Sequence, residues 1–95
     1  MSIADTLRIK LDRAFSPTAL AVVDESLMHA GHAGHRPGGE SHFAVAITAA
    51  AFAGKSRLER QRMVYAVLAE ELRGGVHALR LALDAPGEVR VRPPS

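Results

Sequence analysis

From Phe52 to Leu79 the chain reads F-A-G-K-S-R-L-E-R-Q-R-M-V-Y-A-V-L-A-E-E-L-R-G-G-V-H-A-L. Ser56 followed three residues later by Glu59 predicts a capping box, in which the hydroxyl accepts from the Glu59 amide and the carboxylate reaches back. At 100° per residue Leu58, Val64, Tyr65, Leu68, Ala69 and Leu72 fall within one broad face, with Glu59, Arg60, Glu70 and Arg73 elsewhere. One long amphipathic helix is therefore expected, closed by a left-handed cap at Gly74-Gly75. The chain then leaves as Val76-His77-Ala78-Leu79-Arg80-Leu81, a strand of about residues 76–83.

Upstream, Ser2 and Asp5 are placed to cap a first helix, with Ile3, Leu7, Leu11 and Phe15 at four-residue spacing. Ser16-Pro17 ends it, because the residue before proline avoids the helical region. Leu20 to Val23 reads as a short strand running into Asp24-Glu25-Ser26. A second strand is expected from His42 to Ile47, where Phe43, Val45 and Ile47 alternate with His42, Ala44 and Ala46. A short helical turn over residues 49–54 then leads into the capped helix. The order is helix, strand, strand, helix, strand. The first two strands pair antiparallel most simply, and the helix between the second and third supplies the right-handed crossover that parallel strands need. The expected fold class is α+β, a small three-stranded mixed sheet covered on one face by helices.

Ninety-five residues suffice for one small domain, expected over 1–85, with a flexible proline-bearing tail over 86–95. No apolar run is long enough to span a bilayer, and the first residues lack a signal-peptide layout, so a cytoplasmic location with no membrane partner is expected. Net charge is +2, which permits weak attraction to nucleic acid without demanding it. With no cysteine, disulfides and self-supplied thiolates are excluded, and soft-metal chemistry must borrow sulfur from a partner.

Three histidines, His29, His32 and His35, stand at intervals of three in M-H-A-G-H-A-G-H-R-P-G-G-E-S. This connection is far longer than the usual hairpin loop of about two to five residues. It admits two readings, a solvated glycine-rich link with incidental histidines or a pliable segment whose imidazoles wrap a transition metal. His77 shares parity with Leu79, Leu81 and Leu83, which places it on the apolar face of the third strand, where a packed histidine is the ordinary reading. Parallel pairing of the second and third strands would bring His77 to the same end of the sheet as the histidine loop. His42 alternates away from Phe43 and Val45 and reads as structural.

G-K-S-R-L-E-R-x-R-M-V-Y-x-x-L-x-x-E-L followed by G-V-H-A-L closely resembles the signature of the BolA family. D-E-S, G-H-A-G-H, G-G-E-S-H-F and F-A-G-K-S resemble the same family in the same order, so that the resemblance covers roughly Phe15 to Leu83. The family usually carries R-H-R where this chain has Arg60-Gln61-Arg62. The resemblance implies a relative of the type II KH fold. It also implies a complex with a monothiol glutaredoxin through a shared [2Fe–2S] cluster, the partner supplying a cysteine and glutathione. His77 of H-A-L would be the shared ligand, and His32 of G-H-A the first choice within the loop, with His29 and His35 as substitutes. The free chain is expected to be a monomer or weak homodimer.

The alternative that the resemblance leaves open is a DNA-binding transcriptional regulator of the BolA type, acting in stress or morphology responses through Lys55, Arg57, Arg60 and Arg73. Enzymatic activity is not expected. Gly54-Lys55-Ser56 lacks the glycine of a phosphate-binding loop, since position 49 is alanine. Ser26, Ser41 and Ser56 sit where strand ends and a helix cap call for serine, and Asp24-Glu25 reads as a turn-supporting pair.

Overall fold

The computed structural model describes residues 2–25 and 42–88. Helix α1 (Ile3–Phe15) opens on a capping box: Ser2 Oγ accepts from the Asp5 amide at 3.1 Å and Asp5 Oδ2 accepts from the Ser2 amide at 3.2 Å. Hydrogen bonds from Ser2, led by that of its backbone amide, hold the Asp5 carboxyl below its usual range. The helix ends at Ser16, which turns left-handed at φ 46° just before Pro17. Strand β1 (Ala19–Asp24) follows, then β2 (His42–Thr48). A 3-10 turn at Ala50–Phe52 and a second capping box, Ser56 with Glu59, lead into α2 (Arg57–Val67). A short α3 (Ala69–Gly74) and β3 (Ala78–Asp84) complete the described chain.

The sheet order is β1-β2-β3, with β1 antiparallel and β3 parallel to the central β2. This is the expected α+β arrangement. Register places Val22 opposite Val45 and Val45 opposite Leu81, so one face collects Leu20 and Val22, Phe43, Val45 and Ile47, then Leu79, Leu81 and Leu83. Leu7 and Leu11 of α1, Val64 of α2 and the adjoining Leu68 cover that face, and all four are fully buried. Phe52 closes the core at one end with its ring centroid 5.0 Å from that of Phe15. The other face carries Ala21, Ala46 and Ala78, all exposed, together with Val23 at 53% exposure and Arg80. Among the described residues, no helix is long and apolar enough to cross a membrane.

Three expectations are corrected. The long helix is two helices: Leu68 leaves the helical region at φ −102°, ψ 18°. The bend keeps Leu68 wholly inside the core while Glu71 of α3 reaches Lys10 of α1, with Nζ and Oε2 2.8 Å apart. Every residue from 57 to 73 tolerates a helix, so periodicity carried no sign of the break. Second, Leu58 and Tyr65 do not face the core; they are 53% and 37% exposed. The buried line runs through Val64 and Leu68, with Met63 and Val67 partly buried beside it. Third, β3 begins at Ala78 rather than near Val76. Gly75 takes φ 148°, which favours glycine, and the Val76 amide closes onto the Glu71 carbonyl at 3.1 Å before the strand starts.

Candidate functional site

Parallel pairing sets Ala78 beside His42, and the Glu25 amide donates to the His42 carbonyl at 2.8 Å. Glu25, His42 and His77 are thus neighbours in the chain's course at one end of the sheet. Residues 26–41 leave from Glu25 and return at His42, so the segment carrying His29, His32 and His35 is attached at both ends beside His77. Those three histidines themselves lie outside the described residues.

His77 is exposed, and it is not on the apolar face where parity placed it. Parity holds only within a strand, and His77 precedes the ladder. The turn at Gly75 hands the inward position to Val76, which is buried. Among the described residues the His77 ring has no hydrogen bond or ion pair, which leaves a nitrogen lone pair available to a metal ion. The packed-histidine reading is therefore overturned. His42 is half-buried and engaged in an interaction of its own, in keeping with a structural role.

One feature of this end was not legible in the sequence. Arg80 forms a bidentate pair with Glu25, Nε–Oε1 3.0 Å and Nη2–Oε2 2.6 Å. The hydrogen bond to Glu25 raises the guanidinium's pKa further above its ordinary value. Arg80 sits in register with Ala44 of the central strand; the alanine leaves room for the long side chain to cross β2 towards the end of β1. The two residues are 55 positions apart, and Glu25 looked like part of a turn. With the Arg80 side chain 74% exposed, the pair orients more than it stabilises.

Among the described residues no three His, Cys, Asp or Glu side chains group closely enough to hold a metal ion. Among the described residues the donor set is incomplete for a metal centre: His77 offers one free imidazole and the chain has no thiolate, so other ligands would have to complete it.

The four residues of the alternative reading separate. Lys55, Arg57 and Arg73 are exposed. Arg60 is engaged instead: its guanidinium pairs with Glu88 at 2.7 and 2.8 Å and donates to the carbonyls of Leu83 and Lys55, each at 3.0 Å. The bond to Glu88 raises its pKa. Only 12% of its side chain is exposed, so it joins α2 to the end of β3 and offers little to a phosphate.

Comparison with known proteins settles the family. The family model described as BolA-like protein matches residues 11–88. The chain belongs to the BolA-like family. It is 46% identical over 84 residues to human BolA-like protein 1, covering 88% of this chain and 58% of that protein. It is 47% identical over 81 residues to the DNA-binding transcriptional regulator BolA of Escherichia coli K12, covering 85% of this chain and 73% of the relative. The solved BolA domain of SufE1 from Arabidopsis thaliana superposes with a TM-score of 0.83 at 40% identity, covering 94% and 98% of the two chains. The chain therefore spans little more than half of the human relative, and that protein's full activity does not transfer with the family.

Proposed function

We propose that this BolA-like chain is a cytoplasmic adaptor, not an enzyme, in iron–sulfur metabolism, and that it binds a monothiol glutaredoxin through a shared [2Fe–2S] cluster. The carrying observation is His77, exposed and unpaired among the described residues at the end of the sheet where residues 26–41 begin and end. His77 would hold one position and a histidine of that segment, His32 before His29 or His35, a second. The partner would contribute a cysteine and glutathione, which a chain without cysteine cannot. Two imidazoles in place of two thiolates raise the potential of such a cluster. Glu25 and Arg80 would orient the point from which the segment departs.

The test mixes the purified chain with a monothiol glutaredoxin, iron, sulfide and glutathione and records visible circular dichroism. The wild-type chain should give a heteromeric cluster spectrum distinct from that of the glutaredoxin alone. His77→Ala should lose or shift it and make the cluster more labile. An identical spectrum and lability in the variant would remove the ligand assignment.

A DNA-binding role has one specific support, the Escherichia coli relative's name as a DNA-binding transcriptional regulator, with Lys55, Arg57 and Arg73 as the available cations. Salt separates the two readings: binding through several phosphates weakens steeply as salt rises, whereas ligation to iron does not.

A further inference from the structure

Helix α2 has an apolar side that neither reading uses, although Arg57 beside it also serves the DNA-binding reading. Leu58, Arg62 and Tyr65 stand at i, i+4 and i+7 and so stack along one strip, roughly a third of a turn from the buried Val64. Leu58 is 53% exposed. Isolated surface leucines are ordinary, but here an aromatic ring shares the strip. Gln61 Nε2 donates to the Tyr65 hydroxyl at 3.0 Å, which ties the phenol along the helix and occupies an acceptor site on its oxygen.

The charges around this strip are one-sided. Arg57 and Arg62 are exposed and have no ion pair among the described residues. The nearest acid in sequence, Glu59, is spent on the helix cap, where its carboxylate accepts from the Ser56 amide at 2.8 Å. An apolar anchor and a ring flanked by unneutralised guanidinium groups match an acidic partner with its own apolar side chain. A nucleic acid would satisfy the arginines but would desolvate Leu58 for little return.

We propose that the Leu58–Arg62–Tyr65 strip of α2 docks an acidic protein segment carrying an apolar anchor. The strip lies towards the end of the sheet where Arg60 reaches the Leu83 carbonyl, whereas His77 precedes the opposite end of β3. Docking here leaves the histidine end free, so the surface gives an adaptor a second partner. It does not depend on the iron–sulfur reading.

The probe is a labelled synthetic helical peptide of glutamate with leucine at helical spacing, followed by fluorescence anisotropy against the full chain. A matched peptide with alanine for leucine and a duplex DNA serve as comparisons. Saturable binding of the leucine peptide should weaken about tenfold in Leu58→Ala and again in Arg62→Glu, should be weaker for the alanine peptide, and should be unchanged in His77→Ala. Leu58 is exposed, and unchanged circular dichroism would show that its variant folds. The proposal is overturned by absent saturation, by wild-type affinity retained in both strip variants, or by loss of binding in His77→Ala. It is also overturned by duplex DNA binding more tightly than the peptide with no effect of Leu58→Ala, which would assign the strip to nucleic acid. Self-association that is lost in Leu58→Ala without any effect on the peptide would assign it to a second copy of the chain.

Discussion

Among the described residues, the backbone where β3 ends, at Asp84, is tied from several sides, whereas fewer bonds hold it where it begins, at Ala78 beside His42. At the closing end the Ala49 amide donates to the Asp84 carbonyl at 2.9 Å, Arg60 bonds the Leu83 carbonyl, and Glu88 holds both Arg60 and the Ala85 amide. Phe15 and Phe52 fill the core nearby. At the opening end the described residues offer an exposed imidazole and the Arg80–Glu25 pair, whose guanidinium is exposed while its carboxylate is largely covered. A domain this small has a limited core, so ties concentrated at one end leave the other able to present side chains that contribute little to stability.

Three substitutions test that contrast. The largest effect is expected for Phe52→Ala, which removes a fully buried ring and should cost about 3–5 kcal/mol in urea unfolding. That is a large part of the roughly 5–15 kcal/mol of a typical domain. A loss below about 1 kcal/mol would mean that the closing end does not anchor the fold. Ser56→Ala deletes the hydroxyl that accepts from the Glu59 amide, with an expected cost of about 1 kcal/mol. Because the box also positions the helix bearing Arg60, the same variant should speed amide exchange in the first turn of α2. The smallest effect belongs to the open end. His77→Ala should change the urea midpoint by no more than about 0.5 kcal/mol in free energy, as for other exposed sites. A loss comparable to the capping variant would show that the ring is structural after all.

Much of this architecture is legible in the sequence. Both capping boxes, the alternation of Phe43, Val45 and Ile47, and the crossover joining β2 to β3 follow from local chemistry and periodicity, and each appears where expected. The site was legible in part. Parallel pairing correctly brought His77 to the end where residues 26–41 are attached, but parity gave it the wrong surroundings, because the strand begins at Ala78, two residues later than the alternation suggested. Leu58 and Tyr65 were misplaced for a related reason. A broad apolar arc on a helix fits more than one rotation against a sheet, and only the packing of Val64 and Leu68 selects one.

By itself, the amino-acid sequence determined which segments fold locally, the order of strands and helices, and the chemistry on offer: imidazoles without thiolates, and arginines outnumbering free acids on α2. Those properties depend on neighbours a few residues apart. The tertiary structure alone decided that Arg60 is consumed by Glu88, that Arg80 crosses the sheet to Glu25, that the long helix bends at Leu68, and that His77 faces solvent. Each of these depends on groups brought together from distant parts of the chain, and local pattern carries no record of such meetings.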